Sequence, residues 1–275
     1  MDDFIALVEQ ARTQPLRGWD FSFVKGRMVQ EDPPWSYGNH AHSLVRAATG
    51  PVLDLGTGGG EVLAELAPLP PGSIATEDWP PNVVAARTRL ASLGVTVVRP
   101  EENDAVPLPD ARFPVVLNRH SSYTPGEVHR LLSPGGRFLT QQVGADDGLE
   151  INDALGLAPP ARPDRWDVGE AAADLERAGL VVTTAEEARS PLRFHDVGAL
   201  VFHLRRVPWQ TQDFDVARTW EALRRVHERI LVEGALVCTA HRFLVEAHRP
   251  RNRGNRINRS GRGAATVAAD PARSG

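Results

Sequence analysis

The sequence predicts an α/β fold with a parallel sheet covered by helices on both faces. Short apolar runs end in glycine or proline turns, stretches of helical period follow them, and the alternation persists from residue 50 to about 145. Residues 3–13 read as a short amphipathic helix with Phe4, Ile5, Leu7, Val8 and Ala11 on one side. Residues 14–40 are irregular and aromatic, with Trp19, Phe21, Phe23, Trp35 and Tyr37 broken by Pro33-Pro34, and a helix over 40–48 follows. Val52–Leu55 is the first strand of the alternation and ends in a glycine turn. A helix from Glu61 stops at Pro68, and Ser73–Thr76 is the second strand. The helix Asn82–Leu93 closes on Gly94, a residue suited to the left-handed helix end. Val95–Val98 and Phe113–Leu117 are the third and fourth strands. Pro114 cannot donate to a ladder, so the fourth strand should have it only at its start. A helix over 127–132 and a fifth strand, Arg137–Val143, complete the regular part. Beyond it lie a helix over 168–178, a sixth strand from Leu180, helices over 196–206 and 215–231, and a final strand Ala240–Ala247.

Composition narrows the class. Hydrophobic residues make up 41% and charged residues 24%, as in a globular domain with a sizeable core. No apolar run reaches the ~18 residues of a membrane span, and the acidic start Met1-Asp2-Asp3 is unlike a secretory leader. The expected location is the cytoplasm. A single cysteine, Cys238, excludes an internal disulfide and a cysteine-rich zinc module, and no metal site is expected. The net charge of −4 hides an asymmetry: residues 249–275 carry seven arginines against Asp270, which leaves −10 on residues 1–248. The chain divides into an aromatic and helical N-terminal cap (1–49), a main domain (50–248) and a basic tail (249–275). The tail has no apolar period and reads as disordered.

The strongest motif is Val52-Leu53-Asp54-Leu55-Gly56-Thr57-Gly58-Gly59-Gly60-Glu61, which leaves a strand and opens a helix. Glycines at alternate positions let the backbone turn tightly and approach a ligand. The dinucleotide pattern G-x-G-x-x-G fails, because its third glycine would fall on Glu61 or Leu63. A carboxylate at that helix start would also repel a pyrophosphate. No Gly-Lys-Ser/Thr follows, so a Walker loop is excluded.

An acid at the strand end before G-x-G-x-G resembles motif I of the class I S-adenosylmethionine-dependent methyltransferases. Glu77, which ends the second strand 21 residues after Gly56, stands where that family places its ribose-binding acid. A carboxylate suits two hydroxyls because it accepts two hydrogen bonds at once. Asp104-Ala105 resembles the family's adenine-side segment, and Leu131–Phe138 its turn into strand five. The resemblance covers residues 50–145, and 165–248 more loosely. It implies a Rossmann-like sheet of seven mostly parallel strands, with the last strand antiparallel and a helical insertion, about 194–233, before it. It further implies that Asp54, Gly56, Thr57, Gly58, Gly60, Glu77, Asp104, Ala105 and Asn118 hold S-adenosylmethionine.

Ligands of open α/β sheets bind beyond the carboxyl ends of the strands. There the fourth strand ends in Asn118-Arg119-His120, which places Asn118 toward the cofactor and His120 toward the acceptor as a base or positioning group. Asn118-Arg119-His120-Ser121 is not the Asn/Asp-Pro-Pro-Tyr/Phe of methyltransferases that act on amino groups of adenine or glutamine. Trp35 and Tyr37 of the N-terminal segment, and Gln141 at the end of strand five, are candidates to line the acceptor pocket. The acidic body favours a small-molecule acceptor taking the methyl on O, N or C. The basic tail keeps RNA open as the alternative, and a binding protein without catalysis is the third reading.

Overall fold

The computed structural model describes residues 3–16, 20–100, 105–159, 166–211 and 214–251. Trp19, Asp104 and positions 252–275 of the basic tail lie outside the described residues. Eight strands form one sheet: β1 (Met28–Gln30), β2 (Val52–Leu55), β3 (Ile74–Thr76), β4 (Thr96–Val98), β5 (Phe113–Arg119), β6 (Leu132–Val143), β7 (Val181–Phe194) and β8 (Leu236–His248). Their order is β1-β7-β8-β6-β5-β2-β3-β4. The pairs β2–β3, β2–β5, β3–β4 and β5–β6 are parallel. The pairs β6–β8, β7–β8 and β1–β7 are antiparallel. The seven expected strands are therefore joined by an eighth, β1, from a stretch the sequence marked as irregular.

The strands form where their side chains can be buried. All four residues of β2 are buried, as a central strand covered on both faces requires. Pro114 is the second residue of β5, at a register shift between Phe113 and Val115, so it interrupts no regular ladder. On one face, α2 (Tyr37–Ala47) and α4 (Pro80–Leu90) cover a core of Leu44, Leu90, Leu117, Leu139 and Leu244. On the other, α5 (Pro125–Leu131) and α7 (Val168–Arg177) cover Leu53, Phe113, Val116, Phe138 and Phe243.

A third core lies beyond the end of β6. The β7–β8 ladder runs from Val181↔His248 to Phe194↔Leu236, whereas β6 reaches only Val143↔Arg242. The projecting half of the hairpin carries Leu192, Phe194, Cys238 and Ala240 into a cluster with α1 (Asp3–Thr13), α6 (Leu149–Leu155), α8 (Val197–Arg206) and α9 (Trp220–Glu233). Phe4 of α1 meets Trp220 edge to face at 4.9 Å. Asp196 caps α8 by accepting from Ala199 N and also takes a two-point contact from Arg27, 2.7 Å on each oxygen. Helix α9 starts at Trp220, five residues after the predicted start at 215.

Arg249 departs from the expected free tail. Its amide donates to Gly136 O, its carbonyl accepts from Gly135 N, and its guanidinium donates to His129 O and Leu132 O. The ordered chain thus continues past His248. Among the described residues, no helix is long and apolar enough to cross a membrane.

Candidate functional site

Asp54 is buried near the end of β2. Gly56, Gly58 and Gly60 have φ of +69°, +63° and +81°, the region that side chains make costly. The loop is tied to β3: Gly56 N donates to Thr76 Oγ1 at 3.0 Å and Thr57 N to Thr76 O at 2.8 Å. At Gly56, conformation and space both demand glycine, because a Cβ would meet Ser121 Oγ at 2.1 Å. Gly60 precedes α3 (Glu61–Glu65), and a Cβ there would press on Leu90.

Two carboxylates border this loop. Burial raises the pKa of Asp54 to about 7, eased by the Thr57 hydroxyl and reinforced by Glu77. Burial also raises Glu77, against the main-chain N–H groups of Trp79 and Gly58 that favour its ion. Oε1 of Glu77 accepts from Asp78 N at 3.1 Å and Trp79 N at 3.0 Å. Desolvated carboxylates of this kind favour a ligand that brings hydroxyls or a cation and disfavour one that brings phosphate.

The end of β5 holds the second half of the site. Asn118 was expected to reach the cofactor, but its side chain is fully buried. Its Nδ2 donates to Leu55 O at 3.0 Å, while Oδ1 accepts from Thr140 Oγ1 at 2.8 Å and Gln142 Nε2 at 2.5 Å. Asn118 therefore clasps β2, β5 and β6 together. Gln142 completes the clasp by donating to Ser121 O, at 3.0 Å.

His120 follows with φ +55°, a left-handed conformation uncommon for a residue with a side chain. The residue is exposed, and its amide donates to Gln141 O at 2.8 Å. Desolvation of the ring first, and the guanidiniums of Arg119 and Arg242 second, lower its pKa to about 3. Gln141 is buried and joins two of the expected acceptor residues: Trp35 Nε1 donates to its Oε1 at 2.9 Å, and its Nε2 lies 3.0 Å from His120 Nε2.

Tyr37 links the halves. It opens α2, which is capped by Ser36, and the guanidinium of Arg119 stands 5.8 Å from its ring centre. Its pKa is raised well above the usual phenol value, by burial first and Asp54 second, partly offset by Arg119 and the Asn118 main chain. Ala105 is exposed beside the buried Val106, while its partner Asp104 lies outside the described residues.

Sequence reading missed Thr76, Arg119, Ser121, Thr140 and Arg242. Arg119 and Ser121 lay beside marked positions. Thr140 and Arg242 act across strands and give no local signal. Arg242 is paired with Asp147 and donates to Gln30 Oε1 at 2.9 Å. Among the described residues, no group of three or more His, Cys, Asp or Glu is arranged to hold a metal.

No protein-family profile matches the chain. A 23S rRNA (guanine(748)-N(1))-methyltransferase of Streptomyces fradiae is 30% identical over 137 residues, which cover 49% of this chain and 47% of that protein. The chain thus matches about half the length of that relative. Among solved structures, a candidate methyltransferase of Bacillus halodurans C-125 superposes with a TM-score of 0.55 at 17% identity, over 77% of this chain and 98% of its own. The YcgJ protein of Bacillus subtilis does so with a TM-score of 0.55 at 16% identity, over 78% and 99%. By its strand order, its glycine loop and the global match, the chain has the fold of the class I S-adenosylmethionine-dependent methyltransferases.

Proposed function

We propose that the protein transfers a methyl group from S-adenosylmethionine to a small molecule bound between Trp35, Tyr37 and His120. The observation that carries the cofactor assignment is the pair of desolvated carboxylates, Asp54 and Glu77, around a left-handed glycine loop. The cofactor has an ammonium, two ribose hydroxyls and no phosphate, which is what this acid-rich cradle suits. When bound, it supplies an electrophilic methyl group on sulfonium sulfur. Thr57 and the loop backbone would hold its amino-acid end, and Glu77 its ribose. A net charge of −10 on residues 1–248 disfavours a phosphate backbone, and Trp35 and Tyr37 would offer aromatic faces to a compact acceptor.

The second reading is RNA methylation. The Streptomyces fradiae relative is named for that activity, and residues 249–275 carry seven arginines.

Calorimetry tests the cofactor assignment. The full chain should bind S-adenosylmethionine, and Glu77→Ala should lose about 2 kcal/mol of that affinity, because two hydroxyls lose a charged acceptor. Unchanged affinity in a folded variant would remove Glu77 from the site. Methyl-tritiated cofactor offered with total RNA and, separately, with the small-molecule fraction of a cell extract decides the acceptor class. Label in the RNA alone would promote the second reading.

A further inference from the structure

The contact chain Trp35–Gln141–His120 fixes more than position. An indole N–H can only donate. With Trp35 Nε1 2.9 Å from Gln141 Oε1, the oxygen end of that amide is committed to Trp35. Its NH2 end is then committed to His120, at 3.0 Å from Nε2. A turned amide would set N–H against N–H at Trp35. An amide NH2 can only donate, so Nε2 of His120 has to accept and carries no hydrogen. The proton of the neutral imidazole therefore sits on Nδ1. Protonation of the ring would place a second N–H against the Gln141 NH2, so the same contact opposes the cation.

Nδ1 makes no hydrogen bond with the described residues, and His120 is exposed. The charged groups that bear on the ring are Arg119 of β5 and Arg242 of β8, both cationic. Arg242 is engaged with Asp147 and Gln30. Arg119 has no ion pair among the described residues; it packs over Tyr37.

We propose that Trp35, acting through Gln141, locks His120 as the Nδ1–H tautomer, so that His120 meets the acceptor as a hydrogen-bond donor and not as a general base. Trp35 and Gln141 are positioning residues in this arrangement. A donor N–H beside a guanidinium selects acceptors with an oxygen lone pair at that point, a carbonyl or an ionised hydroxyl. It disfavours an ammonium, which offers only donors and would face Arg119. The inference rests on the methyltransferase reading only for what enters the cleft; the tautomer itself is independent of it.

The test is the two-bond proton–nitrogen spectrum of the imidazole rings in the 15N-labelled full chain, with the His120 signals identified by their loss in His120→Gln. The expected result is an unprotonated Nε2 and a protonated Nδ1, with shifts unchanged between about pH 5.5 and 8, where a free histidine titrates. Trp35→Phe should release the amide, and the ring should then populate both tautomers. If that variant does not fold, Gln141→Glu serves in its place. A carboxylate at 141 accepts from Trp35 and from His120, so the proton should move to Nε2. An Nε2–H tautomer in the parent protein, a ring that titrates near its ordinary value, or a tautomer unmoved by Gln141→Glu would overturn the proposal. Calorimetry with S-adenosylmethionine separates the two readings. A locked tautomer in a protein that does not bind the cofactor sinks the methyltransferase reading and leaves the relay standing; a titrating His120 in a protein that does bind it sinks the relay alone.

Discussion

The α-carbon of Gly56 faces the Ser121 side chain so closely that a Cβ would stand 2.1 Å from Oγ. The glycine loop of β2 and the turn after β5 are therefore packed as one surface. Gly56→Ala has two costs, the left-handed conformation at roughly 1–2 kcal/mol and the displacement of Ser121. The variant should lose about 2–4 kcal/mol of stability and bind S-adenosylmethionine at least tenfold more weakly. Urea unfolding and calorimetry check both numbers, and an unshifted midpoint would show that the two turns are not so tightly coupled.

Asn118→Ala should act on stability before it acts on binding. It leaves Leu55 O without its donor and Thr140 and Gln142 without their shared acceptor, all inside the sheet. Buried polar groups left unpaired cost about 1–3 kcal/mol each, so the expected loss is about 3 kcal/mol. Cofactor affinity, measured well below the unfolding temperature, should change less than threefold. A large loss of affinity with unchanged stability would return Asn118 to direct cofactor contact.

Asp54 sets a dependence of stability on acidity. In the folded protein it keeps its proton up to about pH 7, against 3.8 for the ordinary carboxyl. Between those values the unfolded chain binds fewer protons than the folded one, so this residue's contribution to stability falls as pH rises. Asp54→Asn cannot ionise. Between pH 4.5 and 7.5 its urea midpoint should fall less steeply than that of the parent. Parallel curves for the two proteins would show that Asp54 is ionised throughout.

The tail should divide at Arg251. Removing residues 252–275 removes a stretch with no apolar period and should leave the melting temperature within error. Removing 249–275 also takes the Arg249 bonds to Gly135, Gly136, His129 and Leu132. That truncation should cost about 1–3 kcal/mol. Equal melting temperatures for the two truncations would show that Arg249 adds nothing. Loss of RNA retention with the shorter deletion would favour the RNA reading.

What the sequence made legible follows from the range of each interaction. The β2 strand, its glycine loop and Glu77 were readable because strand, turn and helix start lie within about 25 residues and each has a local signature. Strand β1 was not readable: it has three residues, one half-buried and two exposed, and exists because β7 offers it an edge. The far half of β7 was hidden by Glu186, Glu187, Arg189 and Pro191, which look like loop chemistry until β8 is placed alongside. The inward turn of Asn118 depends on Thr140 and Gln142, more than twenty residues away on another strand. Trp35 and Gln141 were marked singly as acceptor-side residues, but the hydrogen bond that joins them spans 106 positions and leaves no local trace.

The projecting β7–β8 hairpin has a consequence for the order in which the molecule is made. The cofactor half, from Val52 to Val143, pairs β2 through β6 with one another and can close soon after it leaves the ribosome. Helix α1 leaves before them, yet its buried Phe4 and Val8 pack against α8, α9 and the hairpin, some 190 residues later in the chain. Contacts of that separation form late, because the loop must be synthesised before it can close. Helix α1 thus waits, apolar face uncovered, until α8, α9 and the β7–β8 hairpin have been synthesised.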